Sequence, residues 1–249
     1  MHKLIYSETE LQKFHSLLTR KPLEPSEAFF LSMSARNKYL TPEEREVYDL
    51  GRTEMFARKL VKSDKFSDFL RVIRSMEVNE GGYTSRGGKV LPSKCMVVYA
   101  NINPSSGKKA LKEFYSKTQE FLFDGNQDFQ YGRLDSVMMG CYQRNRGQRN
   151  FLDIDFDIPE EGESHVRDFC AGLQTVDVKY HVIKTRSGYH VLLEKDTVHF
   201  NYPGMVEIFD TRVQMEFGKE HVEVVVNKNE MVPVPGTIQS DFEVRFVDF

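Results

Sequence analysis

The chain has no tryptophan, only three cysteines in 249 residues, and no excess of positive charge. Each shortage excludes something. Cys95, Cys141 and Cys170 are far apart and form no CxxC pair. They supply neither a disulfide framework nor a Cys/His zinc cluster. The start, MHKLIYSETELQKF, is not a targeting segment. Reduced thiols in a cytoplasmic protein are therefore expected. No apolar run approaches a membrane span, so no membrane partner is expected. The net charge of -3 excludes a broadly basic surface, and any nucleic-acid binding must come from a local patch.

What is present suits an ordinary globular chain, 40% apolar and 29% charged. The length fits one large or two small domains. Residues 1–80 read as mostly helical and 81–249 as a second, catalytic unit. Thr41-Pro42-Glu43-Glu44 has the form of a capping box with proline in the first turn. The helix it opens is expected to carry Val47, Leu50, Met55 and Leu60 toward a core, interrupted by Gly51. A second helix runs through Phe66, Phe69, Leu70 and Ile73. The glycines at 81–82 and 87–88 mark a linker or a hairpin.

Beyond residue 94 the pattern mixes strands and helices. Strands are expected over 95–99, 151–158, 180–184, 189–193, 222–226 and 244–247. Helices are expected after Gly107, near 164–173 and after Pro203. The fold class is α+β with a mixed or antiparallel sheet. Residues 142–149, with Arg144, Arg146 and Arg149, read as a basic turn.

The most informative segment is Phe151-Leu152-Asp153-Ile154-Asp155-Phe156-Asp157-Ile158. Strand side chains alternate, so the three aspartates share one face and the four apolar side chains from Leu152 to Ile158 the other. Like charges in a row repel, and Asp is a poor strand former. A divalent cation, Mg²⁺ or Mn²⁺, makes the row favourable, because hard carboxylate oxygens suit it. A solvated acidic face is the bland alternative.

A second segment, Lys184-Thr185-Arg186-Ser187-Gly188-Tyr189-His190, reads as strand, tight turn, strand. It is expected to gather Lys184, Arg186, Ser187 and His190 beside exposed backbone donors at Gly188. Cations, a hydroxyl and N–H groups bind phosphate. A polar hairpin with a half-buried histidine is the alternative. A third segment runs from Asn227 to the Pro235-Gly236-Thr237 turn.

Together the three segments resemble the archaeo-eukaryotic primase superfamily, in particular primase-polymerases of phage and plasmid type. Leu152-Asp153-Ile154-Asp155 is similar to the family's acidic strand, and Gly188-Tyr189-His190 to its strand histidine. Val226-Asn227, with Pro235-Gly236-Thr237 eight residues on, is similar to its third motif. The resemblance implies an RRM-like catalytic sheet beside a smaller α/β unit. It implies metal ligands at Asp153 and Asp155 and points Asn227 at the metals; the alternation of the acidic strand adds Asp157 as a further candidate ligand. It implies a nucleoside triphosphate held at His190, and nucleotidyl transfer on single-stranded or primed DNA in replication, with a helicase as a candidate partner. The sequence departs from the pattern at Asn227, where the family has Asp. It departs again at Glu230 and Pro233, where arginines are frequent. Asp157 or Glu223 are the candidate substitute ligands, and Arg144, Arg146 or Arg149 the candidate cations. Two other functions compete. One is a DxD glycosyltransferase, disfavoured by the helical start. The other is a degenerate relative that binds nucleic acid or a replisome partner without turnover.

Overall fold

The computed structural model describes residues 3–48, 50–62, 64–85, 87–123, 133–218, 222–227 and 230–249. Among them the fold is mixed α+β, with seven α-helices and two five-stranded sheets. No helix of the described residues is long and apolar enough to cross a membrane.

The first sheet is built mostly from the N-terminal part of the chain. Helix α1 (Glu8–Leu18) starts at Ser7, whose hydroxyl accepts from the Glu10 N–H at 3.2 Å. It buries Leu11, Phe14 and Leu18 at helical spacing. Strand β1 (Glu27–Arg36) follows, then α2 (Pro42–Tyr48), β2 (Thr53–Val61) and α3 (Phe66–Arg74). After a turn bridged at Thr84 and Val90 come β3 (Met96–Asn101) and the short β4 (Ser105–Ser106). The sheet order is β2-β1-β3-β9, with β9 (Met231–Pro233) arriving from far along the chain and β4 pairing β1. Phe29, Leu31, Met33 and Ala35 of β1 join one core with α1 and α3. Ser32, Ser34 and Arg36 alternate onto the other face. A β-bulge between Met33 and Ser34 shifts the register against β2.

This corrects the expectation of a mostly helical start. The capping box is formed: Glu44 accepts from the Thr41 N–H at 2.9 Å, and Thr41 accepts from the Glu44 N–H at 3.3 Å. Its helix, however, stops at Tyr48, and the chain turns into β2. Val47 is therefore exposed, while Leu50 is buried. The glycine at 51 lies beyond the helix, between Tyr48 and the start of β2, and does not interrupt it.

Two helices, α4 (Gly107–Phe123) and α5 (Leu134–Arg144), pack on each other. Arg144 is thus the last residue of a helix and not part of a turn. The second sheet follows the order β5 (Phe151–Asp157), α6 (Glu163–Thr175), β6 (Tyr180–Thr185), β7 (Gly188–Glu194), α7 (Tyr202–Phe217), β8 (Glu223–Val226). In space the strands lie β12-β6-β7-β5-β8, all antiparallel, with β12 (Arg245–Val247) on one edge. A small hairpin, β10 (Ile238–Gln239) and β11 (Phe242–Glu243), precedes β12.

The alternation of β5 decides how this sheet packs. Leu152, Ile154, Phe156 and Ile158 share a core with Val166, Phe169 and Leu173 of α6 and with Phe209 and Val213 of α7. Phe169 lies edge-on between Phe156 and Phe209, with both ring separations 5.2 Å. The helices cover that face, and the aspartate face turns toward the first sheet.

Candidate functional site

The central strands β5 and β7 carry the site. Their register sets Asp155 directly opposite His190. The His190 ring lies between two carboxylates: Nδ1 is 3.1 Å from both oxygens of Asp153, and Nε2 is 3.8 Å from Asp155 Oδ1. Asn227 follows β8 and extends its pairing with β5, its N–H donating to the Asp153 carbonyl at 2.8 Å. Its side-chain amide donates to Asp153 Oδ2 at 2.6 Å. Asp153, Asp155, His190 and Asn227 therefore meet on one face.

Burial ranks these groups. The Asp153 side chain is fully buried, whereas that of Asp155 keeps 38% of its surface open. Burial alone would lower the His190 pKa. The charges of Asp153 and Asp155 overcome it, and the imidazolium is held up to about 9. Burial pushes the Asp155 carboxyl up, opposed by His190 and reinforced by Asp153. At neutral pH the histidine is thus a fixed cation between two acids. It offsets part of the repulsion that the aspartate row creates.

The cleft between the two sheets measures about 690 Å³. One wall presents Asp155, Asp157, His190, Asn227 and Glu223; register places Glu223 opposite Asp157. The facing wall presents Ser32, Ser34, Arg36, Lys38, Arg52 and Tyr99. Arg36 donates to the Tyr99 hydroxyl at 3.0 Å, yet among the described residues its buried Nε has no partner, nor has Ser32 Oγ. Lys38 donates to Ser187 Oγ at 3.0 Å. Burial lowers the Lys38 pKa, Asp157 and Asp155 counter that, and Arg36 adds to it. Buried donors without partners are costly, and a polar ligand in the cleft would satisfy them. The sequence reading missed these cations because it took their segment as helical. A larger groove of about 930 Å³ runs between α1 and β12 and shares no lining residue with the cleft.

The remaining expected residues are placed as follows. Ser187 lines the cleft. Lys184 does not: it lies opposite Tyr189 in register, on the helix-covered face, and pairs with Glu160 at 2.8 Å. Arg186 stacks over Tyr39 and pairs with Asp241 at 3.0 Å. Gly188 is buried and offers no exposed donors. Its φ is +153°, and a Cβ there would fall 1.8 Å from the Phe156 carbonyl oxygen, so glycine is required for strand contact. Arg144 pairs with Glu113, while Arg146 and Arg149 reach the buried Glu230 at 3.3 and 2.8 Å. Glu230 also accepts from Asn103 at 2.9 Å, and Asn103 holds both backbone groups of Phe151. None of the three arginines lines the cleft. Glu230 instead locks the start of β5. The Pro235-Gly236-Thr237 turn is formed, with Gly236 at φ +86° packed against Ser7 and Leu11 of the α1 region.

Among the described residues, no three His, Cys, Asp or Glu side chains stand close enough to enclose a metal ion. The donor chemistry fits a hard divalent cation. Asp155 and Asp157 are carboxylates open to the cleft, and their hard oxygens suit such an ion. No family model, curated protein or solved structure matches this chain.

Proposed function

We propose that the chain is a metal-dependent nucleotidyltransferase of primase-polymerase type, acting on nucleoside triphosphates and a single-stranded or primed DNA template. The observation that carries this reading is His190 seated between Asp153 and Asp155 on one wall of a cleft whose other wall is cationic. The βαββαβ order of the second sheet, with strands in space as β8-β5-β7-β6, supports an RRM-like catalytic unit. Its two central strands bear the acids and the histidine.

Asp153 and Asp155, with Asp157 open beside them, would hold Mg²⁺ or Mn²⁺. When bound, the cation supplies Lewis-acid stabilisation of the phosphates and activation of the attacking hydroxyl. Arg36, Lys38 and Arg52 bind the anionic phosphates from the facing wall, and Ser187 supplies a hydroxyl beside Lys38. His190 keeps its proton and fixes the Asp153 and Asp155 side chains. Placing reactants between two preformed walls reduces the entropy lost on the way to the transition state.

Labelled nucleotide incorporation on primed and unprimed single strands tests the reading, with Mn²⁺ expected to outperform Mg²⁺. No incorporation with either ion on either template would overturn it. One observation favours a second reading, a non-catalytic relative that binds nucleic acid or a replisome partner. Both Asp153 oxygens are occupied by His190, and Asn227 replaces an acid. Nucleotide binding without turnover distinguishes that case. A DxD glycosyltransferase is disfavoured, though not for the reason the sequence offered. The start is not mostly helical, but every strand pair between named strands is antiparallel, which is foreign to a parallel nucleotide-binding half.

A further inference from the structure

Helix α4 has 17 residues and buries one side chain, Ala110. It is held by packing on α5, and the opposite face is open. Lys108, Leu111, Lys112, Tyr115 and Gln119 follow one another along that face at spacings of one to four residues, and all are exposed. Leu111 keeps 47% and Tyr115 61% of its surface in solvent. The helix carries four lysines against two glutamates on a chain whose net charge is -3. Glu113 turns away from this face toward Lys117 and Arg144. Lys108 and Lys112 make no ion pair among the described residues.

We propose that this face of α4 binds single-stranded nucleic acid. Tyr115 provides an aromatic platform for a base, and Lys108 and Lys112 contact flanking phosphates. Interleaved cations favour nucleic acid over a protein partner, because lysine is depleted from the cores of protein interfaces. The basic patch also supplies what the acidic total charge withholds, a local electrostatic footprint. The helix that α4 packs on, α5, reaches the cleft: its Gln143 lines the cleft, and Arg58 of β2 holds its Ser136 at 3.0 and 3.1 Å. Delivery of a template to the cleft rests on the proposed function; binding to α4 does not.

The test is fluorescence anisotropy of a labelled oligothymidine with the full chain, over a salt series. The double variant Lys108→Glu/Lys112→Glu is expected to weaken binding at least about tenfold and to reduce the log–log salt slope by about 1.4. Tyr115→Ala is expected to weaken it at least about fivefold. Lys179→Glu/Lys195→Glu makes the same charge change elsewhere and is expected to bind far more tightly than the α4 double variant. Circular dichroism shows whether each variant is folded. Equal affinity in the two charge variants, or no binding by the unmodified chain, overturns the proposal. So does sedimentation showing a dimer that Tyr115→Ala dissociates, which assigns the face to a second copy. Incorporation is measured separately on the unmodified chain. Its absence alongside intact oligonucleotide binding overturns the proposed function and not this surface.

Discussion

The two walls of the cleft are opposites. The second sheet presents Asp155, Asp157 and Glu223, while the first presents Arg36, Lys38 and Arg52. Each wall in isolation repels itself. Facing each other across about 690 Å³ of polar space, they form a site suited to a ligand that is anionic yet metal-bound. The walls also differ inside. The acidic wall has its own neutraliser, the buried imidazolium of His190, and its buried Asp153 is bonded to both His190 and Asn227. The basic wall keeps buried donors at Arg36 Nε and Ser32 Oγ that have no partner among the described residues. Under the proposed function the acidic wall would take the cation and the basic wall the phosphates, and the difference between the walls is the basis of that division.

The largest effect that would break this comparison is expected at the acidic wall. Asp155→Asn removes the half-buried carboxylate that faces His190 and should lower nucleotide incorporation by about 10³-fold, the loss of several kcal/mol of metal-derived stabilisation. Activity within a few-fold of the unmodified chain would place the metal elsewhere. Asp153→Asn should abolish incorporation too, but it also strips His190 of its buried partner and should lower stability, unlike Asp155→Asn.

The internal neutraliser makes the next prediction. The His190 pKa is held at about 9 in the fold, above its ordinary value of about 6.5. Its contribution to stability is therefore complete below about pH 6.5 and is lost as pH rises through about 9, a difference on the order of 3 kcal/mol. Urea unfolding in metal-free buffer from pH 6 upward should show that decline, and His190→Gln should flatten it. A stability that rises over the same window contradicts the ion pair.

For the basic wall, Arg36→Ala should weaken triphosphate affinity by about 10- to 100-fold, as expected for a charge-assisted contact. It should leave Mn²⁺ affinity without nucleotide unchanged. Competition with a fluorescent nucleotide measures the first and metal titration the second. If both fall together, the walls do not divide the work. The smallest effect is expected at Asn227, which donates to Asp153 at 2.6 Å. Asn227→Asp exchanges that bond for a like charge and should cost about 1–2 kcal/mol without metal, recovered on adding Mn²⁺. Unchanged stability and unchanged Mn²⁺ affinity would remove Asn227 from the site.

The walls differ equally in how far the sequence reveals them. Asp153, Asp155 and Asp157 alternate with large apolar residues, and period two alone orients such a strand. The hairpin around Ser187 and Gly188 was legible for a similar reason, since turn residues sit between two apolar runs. Which hairpin side chains face the cleft was not: Lys184 is one residue out of phase with His190. On the other wall, Ala28-Phe29-Phe30-Leu31 is apolar and buried on both faces, and periodicity cannot assign such a run; the polar cleft side of β1 begins only at Ser32. A true capping box at Thr41 then drew the helix too far forward. Arg36 and Lys38 become site residues only through the pairing of β1 with β2 and β3, and no local pattern records that pairing. Glu230 looked like the loss of a site cation and is instead the anchor of Arg146 and Arg149, a tertiary fact.

The most direct test of the central claim is a Mn²⁺ titration followed by electron paramagnetic resonance, with and without a nucleoside triphosphate, on the unmodified chain and on Asp155→Asn. The account predicts Mn²⁺ binding that nucleotide strengthens, and a weakening of about tenfold or more in the variant with its fold unchanged. Equal Mn²⁺ affinity in the two proteins, or no response to nucleotide in either, would contradict it.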